Sequence, residues 1–396
     1  MKRRFCNINF SALKWGRFHA AAASITVMLM WSCKELYNPP AIRQNPGYLV
    51  VDGTLYVGQD SSIILLSRTR NLDSLSSVAE AQANVFVTTL SGQTFRLNEQ
   101  RAGKYVTDHL NIRAGEVCQL SINTVDGRTY LSDTFRAVQT PAIDSISWRQ
   151  DSVGVSIYAN VNDPQSDARY YRWDYVETWK YQTAFQSLFD YINGQLVYRT
   201  PDNQIYYCWK NFVSTEIVLG STSKLSSNIV NQQLIAVVPT ASEKLAMRYS
   251  INVKQYALNR DAYLYWQNLK KNTEQLGTLF DVQPSQLKGN IHCISNADEP
   301  VMGYISASSV QQKRIFISRT EIGSWEYKPY YNECFYSFGS KMIIAPSEAP
   351  RYVGTPQSIW TVLGTVTGGG YEITQLYCGD CREHGGSNKQ PDFWKN

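Results

Sequence analysis

Two cysteines and a histidine near the C-terminus have residue types and a spacing that suit several kinds of chemistry. In the stretch YCGDCREHGGSNKQPDFW, residues 377–394, Cys378 and Cys381 lie three positions apart and His384 follows three positions later. Three arrangements fit such a group: a zinc site, a redox-active dithiol, or cysteines held in structural disulfides. The compartment of the protein decides between them, because free thiols persist mainly in reducing compartments.

The residues around this pair favour disulfides. Zinc requires four ligands, and the fourth would have to come from Cys334 or from His292 and Cys293, since the chain has no second Cys-x-x-Cys. A redox dithiol needs a following helix that lowers the thiol pKa, and residues 384–394, which contain glycines and a proline, cannot sustain one. We therefore predict structural disulfides and no metal site, with zinc binding and redox chemistry as the alternatives.

The N-terminus predicts that the chain is exported. Five basic residues and no acidic residue precede an apolar run, AAAASITVMLMW at residues 20–31, which is followed by Ser32 and Cys33. A basic segment, a short apolar segment and a small residue are the parts of a signal peptide. The apolar run has about a dozen residues, whereas a membrane-spanning helix needs roughly 20. Residues 1–32 are therefore predicted to be a signal peptide.

The motif MWSC at residues 30–33 resembles the lipobox of bacterial lipoproteins, in which the chain is cleaved before a cysteine that then receives lipid. We predict lipidation at Cys33 and a flexible tether over residues 33–47, which are polar and contain prolines. Acyl chains hold a protein on a membrane without spanning it, so a membrane is the expected partner of this end of the chain. An ordinary signal peptide with an incidental cysteine is the alternative.

Export to an oxidising compartment favours disulfides among the remaining cysteines. Of eight cysteines, Cys6 lies in the predicted signal peptide and Cys33 is the predicted lipid acceptor. Six candidate disulfide cysteines are left: Cys118, Cys208, Cys293, Cys334, Cys378 and Cys381. Up to three disulfides are expected, and the sequence does not choose among their pairings. Because Cys378 and Cys381 are so close in sequence, we expect them to pair with other cysteines, Cys334 being the nearest, rather than with each other.

The charge balance excludes one class of partner. The full chain of 396 residues has a net charge of +5, but removal of residues 1–32 leaves 33 of its 38 basic residues against 33 acidic ones. A neutral chain lacks the basic surface that nucleic-acid binding requires, so no nucleic acid is expected as a partner. The 26 tyrosines and 10 tryptophans favour strands and can also line a surface that binds sugars or peptides.

Short alternating segments separated by turns predict a mainly β fold. Residues 48–140 contain such segments, with turns at Asp52-Gly53 and Asp126-Gly127. Their GKY and DGRTYLS segments are similar to immunoglobulin-like and carboxypeptidase-regulatory-like modules. We predict a β-sandwich over residues 48–140 and a larger β-rich domain over residues 141–396, which ends in the cysteine-rich segment.

One segment of the second predicted domain has helical periodicity instead. Its stripe of residues at spacings of four and three comprises Ala262, Trp266, Leu269, Thr273 and Leu276. Asn259 is suited to cap the start of a helix and Gly277 to end it. The pattern predicts an amphipathic helix near residues 260–276 that packs on a sheet.

Recognised signatures of catalysis are missing from the sequence. It contains no G-x-S-x-G nucleophile motif, no H-E-x-x-H zinc motif and no phosphate-binding loop. We predict no catalytic residue, no cofactor and no enzymatic activity. A glycan-acting enzyme is an alternative, because its two carboxylates can come from any part of a chain.

Taken together, the lipobox, the N-terminal β-module and the segments at residues 248–291 and 377–394 resemble a family of Bacteroidota outer-membrane lipoproteins, the domain-of-unknown-function family 4249. The resemblance implies an outer-membrane location with exposure on the cell surface, and a TonB-dependent receptor as partner. The function expected from it is that of a non-catalytic binding or accessory protein in uptake, with a peptide or glycan as ligand. A surface adhesin or structural envelope protein is the alternative.

Overall fold

The structure, a computed structural model, describes residues 47–58, 61–70, 78–274, 287–336 and 340–394. The predicted signal peptide, the lipidation site at Cys33 and the predicted tether up to residue 46 lie outside the described residues. Strands dominate the described part of the chain, so the prediction of a mainly β fold is confirmed.

The strands follow one another along the chain with few helices between them. The first twelve are β1 Leu49–Tyr56, β2 Ser62–Arg68, β3 Val78–Ala79, β4 Asn84–Thr89, β5 Thr94–Arg101, β6 Lys104–Thr107, β7 Val117–Asn123, β8 Thr129–Ser132, β9 Phe135–Arg136, β10 Ser145–Gln150, β11 Gly154–Asn162 and β12 Tyr170–Gln182. The others are β13 Phe189–Ile192, β14 Gln195–Tyr198, β15 Tyr207–Val213, β16 Val218–Ser221, β17 Ile229–Pro239, β18 Arg248–Leu258, β19 Ile291–Cys293, β20 Met302–Gly303, β21 Ala307–Ser308, β22 Val310–Ser318, β23 Lys341–Ile344, β24 Trp360–Thr365 and β25 Tyr371–Gln375.

Twelve of these strands form the first sheet, whose main order is β19-β8-β7-β4-β5-β6-β2-β1-β20. Alternate residues of its strands are buried, and they meet in one hydrophobic core that includes Leu49, Val87, Leu120 and Tyr130. Three short strands, β19 to β21, come from residues 291–308. The first sheet is therefore completed by a segment that lies far beyond the predicted boundary near residue 140.

Two further sheets form a sandwich. One has the order β10-β11-β17, and the other has the order β15-β12-β18-β22 with β16 also paired to β12. Buried residues of both sheets, among them Ile157 of β11, Trp173 of β12 and Ile251 of β18, belong to one hydrophobic core. The long strands β12 and β18 pair antiparallel through the centre of the second of these sheets.

A fourth sheet has the order β14-β13-β24-β25-β23 and a small core around Phe189, Ile344, Val362 and Ile373. Three short helices accompany it: α2 Glu333–Tyr336, α3 Ala349–Tyr352 and α4 Leu376–Gly379. The longer helix α1, Arg260–Glu274, packs on the second sheet of the sandwich instead. Because β25 leads directly into α4, this sheet positions the start of the cysteine-rich segment.

The helix α1, Arg260–Glu274, occupies the segment predicted to be helical. The side-chain oxygen of Asn259 accepts a hydrogen bond from the backbone N–H of Ala262 at 2.7 Å, which is the predicted N-terminal cap. Leu276 and Gly277 lie outside the described residues. None of the helices in the described ranges is both long enough and apolar enough to cross a membrane.

Candidate functional site

Two disulfides hold the C-terminal segment. Cys208 of β15 is bonded to Cys381, and Cys334 of α2 is bonded to Cys378. Cys378 lies in α4, whereas Cys381 begins the 3-10 turn Cys381–His384, so the two cysteines belong to different elements. The expectation that they pair with different cysteines, with Cys334 as one of the partners, is confirmed.

The prediction that Cys118 and Cys293 form disulfides is wrong, because both carry free, buried thiols. Cys118 lies on β7 and Cys293 on β19, and β8 runs between these two strands. Neighbouring strands lie about 4.8 Å apart, so β7 and β19 are separated by roughly 9–10 Å, more than the roughly 7 Å that a disulfide can span. Burial raises the pKa of the Cys118 thiol to about 11.

The Cys-x-x-Cys pair is oxidised, so it lacks the thiolates on which zinc binding or dithiol chemistry depends. The nearby His384 packs its ring against Tyr330 and Tyr377, and its Nε2 lies 2.8 Å from the carbonyl oxygen of Tyr377. Burial lowers the pKa of His384. Within the part of the chain that the structure describes, no group of three or more His, Cys, Asp or Glu side chains is placed to bind a metal ion.

Two glycines bring the chain from the disulfides back onto β12. The turn Cys381–His384 ends at Gly385, whose φ of 80° is left-handed and favours glycine. At Gly386 a Cβ atom would lie 2.2 Å from the hydroxyl oxygen of Tyr181, so a larger residue cannot fit without movement. That hydroxyl donates a hydrogen bond of 2.5 Å to the carbonyl oxygen of Cys381. The segment is therefore held close to β12.

The residues after Gly386 pair with the start of β15. Trp209 and Ser387 exchange backbone hydrogen bonds of 2.8 and 3.0 Å. Asn388 Nδ2 donates to the carbonyl oxygen of Gln204 at 2.8 Å, and Gln204 Nε2 donates to the carbonyl oxygen of Asn388 at 3.2 Å. Trp394 is buried, with its ring centroid 6.2 Å from that of Trp209. Phe393 is exposed, so Trp394 is the aromatic residue that packs the end of the described chain against β15.

These contacts leave a cleft of about 670 Å³ between β12, β15 and the C-terminal segment. We call it the aromatic cleft; its lining includes Lys180, Asp202, Tyr207, Trp209, Asn388 and Gln390. Small-molecule sites usually have volumes of about 300–1,000 Å³ and combine apolar rings with a few polar groups. The aromatic cleft has the size of such a site, and its lining combines two aromatic rings with a larger number of polar side chains.

Two residues that line the aromatic cleft carry N–H groups of interest: one is a buried donor without a hydrogen-bond partner, and the other is an ammonium group without an ion pair among the described residues. Trp209 is 6 % exposed, and its Nε1 is buried without a hydrogen-bond partner. A buried donor without a partner costs about 1–3 kcal/mol. Lys180 Nζ lies 4.0 Å from the ring centroid of Tyr207 and forms no ion pair with any described residue. Burial, and after it the charge of Arg248, lowers the pKa of Lys180. A ligand acceptor can pair directly with the ammonium group of Lys180, whereas the enclosed Nε1 of Trp209 is reached only if the lining side chains move aside.

The strands that carry these donors are tied together by one carboxylate. Trp179 and Lys210 lie opposite each other on β12 and β15, next in sequence to Lys180 and Trp209. Both donate to Glu243: the indole Nε1 of Trp179 at 2.9 Å and Nζ of Lys210 at 3.0 Å. The charge-assisted hydrogen bonds fix the two strand ends relative to each other. The wall of the aromatic cleft is therefore preorganised.

The sequence does not single out Lys180, Tyr207 or Trp209 as functional. The signal that it does contain is the run YYCWKN at residues 206–211, in which aromatic residues flank a cysteine. The cleft also includes residues 388–390, which are distant in sequence and are brought to β15 by the disulfide between Cys208 and Cys381 and by the hydrogen bonds of Ser387 and Asn388. The predicted lipidation site lies outside the described residues.

A family model described as "Domain of unknown function (DUF4249)" matches residues 34–314. No curated protein matches the chain. Similar solved structures include a two fibronectin type-III domain segment from chicken tenascin and the chicken interferon gamma receptor alpha chain. They are 13% and 11% identical to this chain, and each comparison covers 53% of this chain and 89% of the other, with a TM-score of 0.15.

Proposed function

The chain belongs to the family of the domain of unknown function DUF4249, and from this premise we propose that it is a non-catalytic binding protein anchored to the bacterial outer membrane. The MWSC motif supports lipidation at Cys33, and the polar residues 34–47 support a tether between the lipid and the β-domains. The same resemblance supports a Bacteroidota lipoprotein that is displayed at the cell surface.

The observation that carries the proposal is that the aromatic cleft combines two aromatic rings with an indole N–H that has no hydrogen-bond partner and an ammonium group that has no ion pair among the described residues. Trp209 offers an indole N–H, and Lys180 offers an ammonium group beside the ring of Tyr207. The carboxylate of Asp202 and the amide of Gln390 add acceptors to the same lining. A sugar presents hydroxyl groups that donate and accept, together with C–H faces that pack on aromatic rings. A glycan is therefore the ligand class that fits the cleft best.

The partner that we propose is a TonB-dependent receptor, to which the anchored protein delivers its glycan. The family resemblance supports this pairing. A tethered binding site raises the concentration of ligand next to a transporter on the same membrane, so the anchor and the cleft together suit an accessory role in uptake.

Titration with soluble oligosaccharides tests the cleft. The full-length protein in detergent should bind members of a panel of differing composition, and Trp209→Phe, which keeps a ring but removes the N–H, should bind about tenfold more weakly, as expected for loss of one hydrogen bond. Trp148→Phe on β10 is the matched control and should bind like wild type. Equal affinities of Trp209→Phe and wild type, or a panel without any binder, would overturn the glycan site.

Fractionation and co-purification test the anchor and the partner. Cys33→Ala should release the protein from the membrane fraction, and retention there would contradict the lipid anchor. A tagged wild-type protein from detergent-solubilised membranes should co-purify with a TonB-dependent receptor. If no such receptor accompanies it, the accessory role is wrong. The result would then favour the alternative, a surface adhesin or structural envelope protein.

A further inference from the structure

A second cavity lies away from the aromatic cleft and contains three arginine side chains. Its volume is about 670 Å³, and its lining comes from the residues after β9, the loop between β11 and β12, and the start of α1. We call it the arginine cavity and define it by Arg136, Arg169 and Arg260. None of these three arginines forms an ion pair with a described residue, so their charges are available to a ligand.

Arg169 is the arginine of the three that has a buried nitrogen, Nη1, without a hydrogen-bond partner among the described residues. An unpaired buried nitrogen of a charged group is more costly than a neutral one, and such groups are nearly always satisfied by protein, water or ligand. Arg136 and Arg260 are exposed, and Arg136 Nη1 donates to the carbonyl oxygen of Gly115 at 2.5 Å. Arg169 itself is half-buried, so it is the least exposed of the three arginines in the lining.

Acidic residues also line the cavity but do not neutralise it. Asp163 and Asp167 belong to the lining, and neither forms an ion pair with a described residue. Three guanidinium groups therefore share the cavity with two carboxylates, which leaves an excess of positive charge. The carboxylates add hydrogen-bond acceptors, as a ligand with hydroxyl groups requires.

The start of α1 adds to this positive potential. The helix is 15 residues long, and Arg260 is its first residue. The aligned peptide dipoles give the N-terminus of a helix a partial positive charge that favours anions. Together with the unpaired Nη1 of Arg169, this feature points to an anion rather than to a neutral ligand.

We propose that the arginine cavity binds a small, sugar-sized ligand that bears an oxyanion, either a carboxylate or a phosphate group. Arginine presents a planar fork of N–H donors that matches two oxygens of either group. The Nη1 of Arg169 gains the acceptor that it lacks, and Asp163 and Asp167 accept from hydroxyl groups of the same ligand. This site is distinct from the aromatic cleft and does not depend on the function proposed for it.

Calorimetric titration of the full-length protein in detergent tests the site with three related probes: glucuronate, glucose 6-phosphate and glucose. Glucuronate or glucose 6-phosphate should bind at least about tenfold more tightly than glucose, and the tighter of the two identifies the oxyanion. Arg169→Gln should weaken that binding about tenfold. Arg101→Gln, an exposed position on β5 outside the cavity, is the matched control and should retain wild-type affinity.

Thermal unfolding shows whether each variant is folded. If Arg169→Gln does not fold, Arg260→Gln decides, because Arg260 is exposed and its replacement leaves the core untouched. Weaker binding of the anionic probe by the folded variant supports the site. The proposal is overturned if neither anion binds more tightly than glucose, or if the folded arginine variants bind the anion like wild type.

Discussion

Cys208 and Cys381, 173 positions apart in the sequence, are joined by a disulfide beside the aromatic cleft. Cys208 lies between Tyr207 and Trp209, which line one wall, and Cys381 begins the segment that supplies Asn388 to the other wall. One covalent bond therefore links the two halves of the cleft.

Removal of this bond should lower stability and open the cleft. Cys208→Ser with Cys381→Ser should lower the free energy of unfolding by roughly 2–5 kcal/mol, because the unfolded chain regains the entropy of a long loop. It should also weaken glycan binding. Chemical denaturation and ligand titration measure the two effects.

The second disulfide is the matched control for that change. The bond between Cys334 and Cys378 closes a span of 44 positions instead of 173. Since the entropic cost grows with the logarithm of loop length, its removal should cost about 1 kcal/mol less. Glycan affinity should fall less in this variant than in the variant without the Cys208–Cys381 bond. A larger fall in glycan affinity here would show that the Cys334–Cys378 bond, and not the Cys208–Cys381 bond, holds the cleft together.

The two free cysteines should be unreactive until the protein unfolds. Cys118 and Cys293 are buried, and the pKa of Cys118 is raised to about 11 by burial. A protein that consists of residues 34–396 contains the six cysteines Cys118, Cys208, Cys293, Cys334, Cys378 and Cys381. Alkylation of this protein without reductant should therefore modify none of its cysteines in the native state and two in denaturant. Intact-mass measurement counts the modifications. Native-state labelling would place one of these thiols at the surface, and six labels without reductant would disprove both disulfides.

Gly386 should not tolerate a side chain. Its Cβ would lie 2.2 Å from the hydroxyl oxygen of Tyr181, whose ring is buried. Gly386→Ala should lower the free energy of unfolding by about 1–3 kcal/mol, the usual cost of overpacking. Gly364→Ala in β24, where nothing lies within 4 Å of the added Cβ, is the control and should cost less. Denaturant midpoints of the two variants make the comparison, and equal midpoints would contradict the close approach.

Acidification should destabilise the segment around His384. Burial holds the pKa of His384 below its ordinary 6.5, so the unfolded chain binds a proton at a pH at which the folded chain does not. Stability from this residue is therefore complete above pH 6.5 and declines as the pH falls below that value. Wild type should lose more free energy of unfolding between pH 7.5 and pH 5 than His384→Gln. Parallel pH profiles of the two proteins would rule out this contribution.

Much of the local structure can be predicted from the sequence because it depends on neighbours in the chain. Alternation of apolar and polar residues predicts strands such as β7, and their burial alternates as expected. Asn259 caps α1 as its residue type predicts, because the bond reaches only to Ala262. The nearness of Cys378 to Cys381 also led to the expectation that they bond to different cysteines.

By itself the sequence determined the β class, the start of α1, the presence of paired cysteines near the C-terminus and the neutral charge after the predicted signal peptide. Only the tertiary structure decided that residues 291–308 complete the first sheet, that Cys118 and Cys293 are unpaired, and that Lys180, Trp209 and Asn388 share a cleft. The reason is that residue periodicity reports whether a side chain is buried, but not which distant strand lies beside it.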